Sequence, residues 1–199
     1  MELSLIAPPD SPCSLPDEGQ MKCYEAAFSL LPAQGKVVEL GTFLGYSACV
    51  MGALSKGLSK QIVVEAIDTF HGTGEAGWSQ FANSLSTGST EAICRENIKR
   101  NELSNIVRVV NSDITQAASL YEDESVDFVF VDASHYYEPV RNDLWLWYPK
   151  VKKGGLMGGH DYFEKGDVKK AVDEFLKIIN PQIENFQLFE TSFLFTKKA

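Results

Sequence analysis

Two periods alternate along this chain, and that alternation constrains its fold more than any other feature. Short apolar runs at 37–40, 62–67, 106–110 and 126–131 are too brief and too rich in β-branched residues for helices. A weaker, glycine-rich run at 155–158 follows them. Between the runs, apolar residues recur three and four positions apart. Tyr46, Cys49, Val50, Ala53 and Leu54 form one such face, and Tyr137, Val140, Leu144 and Trp147 another. A helix is also expected from about 90 to 101, and Val168, Ala171, Val172, Phe175, Leu176 and Ile179 give the clearest amphipathic helix. Parallel neighbours need a crossover, so alternating strands and helices predict an α/β fold with a doubly wound, mostly parallel sheet. The runs 186–189 and 193–196 lie so close together that they predict a C-terminal antiparallel hairpin.

The 199 residues suit a single globular unit. Residues 1–35 read as an arm, rich in proline and serine to position 16, and a helix capped by Asp17 that carries Tyr24, Ala27, Phe28 and Leu31. Residues 36–199 read as the main domain. The chain holds 27 acidic and 18 basic residues, a net charge of −9. Such a field disfavours nucleic acid and anionic membrane surfaces as partners, and the short lysine pairs at 152–153, 169–170 and 197–198 read as solvated faces. Cys13, Cys23, Cys49 and Cys94 form no CxxC pair and no zinc-like spacing. Together with a start lacking a basic, apolar leader pattern, this predicts a cytoplasmic location, and no apolar run reaches the length of a membrane span.

In doubly wound sheets, ligands bind at the carboxyl ends of the strands, near the point where strand order reverses. All three histidines fall just past an expected strand: His71, His135 and His160. Glu39, Asp68, Asp113, Asp132 and Asp161 occupy the same edge. Residues 69–90 show no clear period and read as a binding loop or lid. The turn at 39–47, ELGTFLGYS, offers close backbone approach at its glycines and free N–H groups at a helix start. Phe43 stands where a dinucleotide fingerprint would place its second glycine, which disfavours NAD.

These residues resemble the motifs of class I S-adenosylmethionine-dependent methyltransferases. The resemblance is nearest to the small metal-assisted O-methyltransferases of the catechol and macrocin-type sugar branches. It runs through ELGTFLGYSA at 39–48, AIDTF at 66–70, VDFVFVDASHY at 126–136 and GGLMGGHDY at 154–162. It implies a Rossmann-like methyltransferase sheet and a cofactor site for S-adenosylmethionine in the main domain. Glu39 would lie near the cofactor ammonium, with Gly41, Thr42 and Gly45 giving backbone access and Ser47 meeting its carboxylate. Asp68 would take the ribose hydroxyls, and Ser112 and Asp113 the adenine, although Asp113 reads equally well as a plain helix cap. Asp132 would border the cofactor as well.

The resemblance also implies a divalent metal, magnesium or manganese, held by Asp132, His160 and Asp161, with His135 as the base that deprotonates a hydroxyl on a small acceptor. The family has a carboxylate at the position of His160. Histidine there favours manganese, iron or zinc, or a role behind the ligands. Two histidines and a carboxylate also form the facial triad of non-haem iron oxygenases, which keeps a metal-dependent oxygenase open, as it does a non-catalytic cofactor-binding protein. Trp78, Phe81, Tyr136, Tyr137 and Tyr162 are candidates for an acceptor wall. Trp145 and Trp147 read as core or partner contacts, with a homodimer left open.

Overall fold

The computed structural model describes residues 3–12, 14–72, 76–85, 89–163 and 166–199. Cys13 and parts of the expected 69–90 loop therefore lie outside the described residues.

Seven strands form one sheet in the order β3-β2-β1-β4-β5-β7-β6. The parallel strands are β1 (Lys36–Leu40), β2 (Val63–Asp68), β3 (Val107–Asn111), β4 (Val126–Val131) and β5 (Val151–Gly159). The hairpin of β6 (Ile183–Phe189) and β7 (Ser192–Lys197) closes the far side, β7 pairing antiparallel with β5. Strand order reverses between β1 and β4, so a crevice opens beyond Leu40 and Val131.

Strand residues alternate between two cores. Phe128 and Phe130 pack with α1 (Glu18–Leu30), α2 (Tyr46–Gly57) and α4 (Thr90–Arg100) through Tyr24, Phe28, Met51 and Ile98. Val129 and Val131 face α6 (Tyr137–Trp147) and α7 (Gly166–Ile179), meeting Leu144, Trp147, Val172 and Phe175. Burial on both faces explains why β4 reads as an unbroken apolar run apart from Asp127. Asp127 accepts from Lys36 N and from Lys152 Nζ, both within 3 Å, at the edge remote from the crevice. That pairing lets β5 begin at Val151, four residues before the expected strand, and carry Lys152 within it.

The 69–90 segment differs from its expected loop character: α3 (Ala76–Ser84) forms inside it. Trp78 and Phe81, three residues apart, share one helix face and pack on Phe43, with Trp78 meeting it edge-on at 4.9 Å. The short α5 (Ile114–Ala117) opens at Asp113, as the sequence predicts. The irregular arm is tied down: the side chains of Asn97 on α4 and of Asn101, its C-cap, bond the backbones of Ile6 and Ser4, and the Tyr46 hydroxyl donates to Ile6 O. Among the described residues, no helix is long and apolar enough to cross a membrane. Cys23, Cys49 and Cys94 are buried free thiols.

Candidate active site

The crevice is a pocket of about 730 Å³ whose wall draws on the turns after β1, β2, β4 and β5. Gly41 sets its floor. At φ +86° it is left-handed, and a Cβ there would lie 2.3 Å from Asp132 O, so the chain leaving β4 passes directly over it. Gly45, at φ +78°, caps α2 with its backbone alone. Thr42 and Ser47 line the pocket, whereas Gly45 and Ser112 are not part of its wall.

Glu39 lies behind that floor, fully buried. Neither of its carboxyl oxygens makes a well-formed hydrogen bond, although the Thr42 and Ser47 hydroxyls lie near enough to act on it. Burial, with the nearby charges of Asp132 and Asp68, pushes the Glu39 carboxyl up to about 8, and the Thr42 and Ser47 hydroxyls oppose this only in part. A fully buried acid opposed only by two neighbouring hydroxyls beside a ligand pocket is a group awaiting a cation or a proton.

Asp68 is engaged with its own chain. Its Oδ2 accepts from Thr42 N at 2.9 Å and Phe43 N at 2.8 Å, and its Oδ1 from Phe70 N at 2.6 Å. It therefore fastens the glycine turn while also lining the pocket. Asp113 Oδ1 accepts from Thr115 N and Gln116 N, so the cap reading of Asp113 holds in a residue that also borders the pocket.

The second half of the site forms where β4 and β5 end. His135 Nε2 lies 2.8 Å from Asp161 Oδ2. Asp132, His135 and Asp161 bring one donor atom each to within 4.8 Å of one another. Asp161 is held in the left-handed region at φ +58°, a strained conformation for a non-glycine residue that turns the chain just past β5. Burial opposes its ionisation, but hydrogen bonds with His135 and His160 outweigh burial and keep its carboxyl well below the usual range.

His160, expected as a metal ligand, lies among three carboxylates. Its Nε2 lies 2.9 Å from Asp17 Oδ2, while Nδ1 is 3.4 Å from Asp161 and 3.6 Å from Asp132. Burial alone would lower its pKa. The surrounding carboxylates reverse that and raise it to about 11, so the ring is a buried imidazolium. His160 thus bridges the three acids Asp17, Asp132 and Asp161. Among the described residues, the side chains close enough to share one cation are Asp132, His135 and Asp161.

Several residues of the site were not anticipated. The first turn of α1 reaches into it: Gln20 Oε1 accepts from Asp17 N, and Gln20 Nε2 donates to Asp132 Oδ2 at 2.9 Å. Asp17, whose cap role was legible, also accepts from Thr191 Oγ1 and holds His160. Pro12, Ser14 and Pro16 of the arm line the pocket, as does Asp143 on α6. The signal for Asp143 is an acid within the stripe Val140, Leu144 and Trp147.

Of the five candidate acceptor-wall aromatics, Trp78 alone lines the pocket, its ring 6.4 Å from that of His135. Phe81 is buried under Phe43, Tyr137 bonds Glu174, Tyr162 bonds Asp173, and Tyr136 is exposed. Trp147 is core, whereas Trp145 is partly exposed and packs on Phe175. His71 is exposed and not part of the wall. Five aspartates but no lysine or arginine line the pocket among the described residues.

The chain resembles known proteins at two levels. A 129-residue stretch is 30% identical to the protein y4gI of Sinorhizobium fredii, covering 63% of this chain but 13% of that relative. Among solved structures, the O-methyltransferase NovP superposes with a TM-score of 0.73 at 19% identity, over 91% of this chain and 80% of NovP. Cofactor-bound Rv0187 from MTB gives 0.67 at 14% identity, over 95% and 84% of the two chains. A SAM-dependent O-methyltransferase from Thermotoga maritima gives 0.58 at 15%, over 98% and 68%. At such identities the likeness establishes the fold. Residues 38–162, which carry both halves of the pocket, match the family model described as a methyltransferase domain. The chain belongs to that methyltransferase family, on the class I fold of the S-adenosylmethionine-dependent enzymes.

Proposed function

We propose that the chain transfers a methyl group from S-adenosylmethionine to a hydroxyl oxygen of a small acceptor, with a divalent cation assisting. The observation that carries this reading is the convergence of Asp132, His135 and Asp161 beside the glycine turn. A purely binding protein has no use for a base and two acids at that place.

The pocket suits the methyl donor. The fully buried Glu39 carboxyl suits an ammonium, and Gly41 allows backbone approach. The five aspartates favour a ligand carrying a sulfonium and an ammonium over one carrying phosphates. When bound, S-adenosylmethionine supplies an already activated methyl group. The protein's task is then to align the acceptor oxygen and remove its proton, alignment being worth up to about 7–11 kcal/mol in favourable systems. His135 accepts that proton. Asp161, 2.8 Å away, orients the ring and stabilises the imidazolium that results. Asp132 and Asp161 offer hard oxygen donors for magnesium or manganese, and a cation there would acidify and fix the hydroxyl. Trp78 gives the acceptor an apolar face.

The test is methyl transfer to a panel of hydroxylated small molecules, with a chelator arm, alongside calorimetry with S-adenosylhomocysteine and with NAD. His135→Ala should lower turnover by about 10²–10⁴ while S-adenosylhomocysteine affinity stays nearly constant. Full activity of His135→Ala would remove it as the base, turnover indifferent to chelation would remove the cation, and binding of NAD alone would overturn the whole reading.

A further inference from the structure

Gln20 lies on the first turn of α1, outside the residues 38–162 that match the methyltransferase domain, and yet it lines the pocket. It is 6% exposed, and its side chain is engaged at both ends. Oε1 accepts from Asp17 N at 3.2 Å, which completes the capping box, and Nε2 donates to Asp132 Oδ2 at 2.9 Å. The hydroxyl of Tyr24, buried one turn further along α1, stands 3.4 Å from the same Nε2.

These contacts fix which way round the amide sits. Turned over, it would face a nitrogen to the Asp17 N–H and an oxygen to the Asp132 carboxylate, two repulsive contacts in place of two hydrogen bonds. The cap uses only the acceptor end. Glutamate serves at this position of a capping box as well as glutamine does, so the cap leaves the donor end unexplained.

Asp132 gives the donor end its use. A carboxylate turns easily about its last bond, and Asp132 is only partly buried, so packing alone does not hold it. Gln20 takes its Oδ2, and Oδ1 lies 3.6 Å from His160 Nδ1. Both constraints come from outside the converging set of Asp132, His135 and Asp161, and together they set the plane of the carboxylate. A carboxylate oriented in advance loses less freedom when it takes up a cation.

We propose that Gln20 is a positioning residue: by donating to Asp132 Oδ2 it holds the orientation in which Asp132 and Asp161 share a divalent cation, which makes the start of α1 part of the site. This rests on the cation reading given above.

The experiment follows Mn²⁺ binding through the electron paramagnetic resonance signal of the free ion, with S-adenosylhomocysteine present and no turnover required. Wild type, Gln20→Met and Gln20→Glu are compared. Methionine keeps the length of the side chain and removes both polar ends. Glutamate keeps the cap and sets an oxygen against Asp132 in place of the donor. Both variants should bind Mn²⁺ about 10-fold or more weaker than wild type, the scale on which partners behind metal ligands act. Affinity for S-adenosylhomocysteine, read by calorimetry, should change by a few-fold at most, because the pocket stays assembled. Should Gln20→Met fail to fold, Gln20→Glu, with its cap intact, decides alone. Mn²⁺ affinity in Gln20→Glu at or above that of wild type shows that no donor is needed at this place and overturns the proposal. Loss of S-adenosylhomocysteine binding in step with Mn²⁺ overturns it too, since the damage is then general. Wild type that binds no Mn²⁺ overturns the cation reading together with it.

Discussion

Replacing Glu39 by glutamine should make the ligand-free protein more stable and the binding site worse. In the folded chain the carboxyl is fully buried and raised to about 8, against 4.5 for the free group. A group whose pKa rises on folding contributes its stability below the unfolded value and loses it as pH climbs towards the folded value. At pH 7 the unfolded chain has ionised Glu39 and the folded chain has not. Two and a half pH units at about 1.4 kcal/mol each amount to about 3 kcal/mol by which ionisation favours the unfolded state. Glutamine is nearly isosteric and does not ionise. Urea unfolding of the two proteins should therefore give nearly equal free energies close to pH 4.5, with Glu39→Gln ahead by about 3 kcal/mol at pH 7. A ligand ammonium beside Glu39 would favour the carboxylate. Binding of S-adenosylhomocysteine should then release a proton, seen as a dependence of the calorimetric heat on buffer ionisation enthalpy, and Glu39→Gln should abolish that release while weakening binding. A stability difference that does not change between pH 5 and pH 7.5 would refute the reasoning, because it would show that Glu39 does not change protonation on unfolding.

Two further perturbations test the frame around the site. Gly41→Ala places a Cβ 2.3 Å from Asp132 O at a left-handed φ and should destabilise the fold by more than about 2 kcal/mol in denaturant melts, with ligand binding lost in whatever folds. Lys60 Nζ donates to the carbonyls of Phe28, Ser29 and Leu31 at the end of α1, a helix with no basic residue in its own last turn. Lys60→Met should lower stability by about 1.5–3 kcal/mol while leaving S-adenosylhomocysteine affinity unchanged.

The strands were legible because burial on both faces leaves little room for polar residues: β4 was read to the residue, and β1, β2 and β3 to within one. Where reading failed, a side chain had found a compensation invisible in sequence. The early start of β5 depends on Lys152 reaching Asp127 on the neighbouring strand. Likewise α3 packs on Phe43 through Trp78 and Phe81, so Gly77, one of the glycines that suggest a loop, sits in a helix held by tertiary contact.

The site divides along the same line. Residues that follow strands were foreseeable, since strand ends are positions in the sequence: Gly41, Asp68, Asp132, His135 and Asp161 could all be located in advance. Residues that enter sideways were not. Asp17 and Gln20 form an ordinary capping box, and a capping box needs no further purpose. Only the sheet shows that α1 starts beside the end of β5, where the same two side chains reach His160 and Asp132. That placement also explains how a histidine can replace a carboxylate at position 160. The Asp17 carboxylate, together with Asp132 and Asp161, makes the imidazolium form of His160 the stable one, so the ring supplies positive charge among the acids of the site. The histidine after β5 and the docking of α1 are thus one feature.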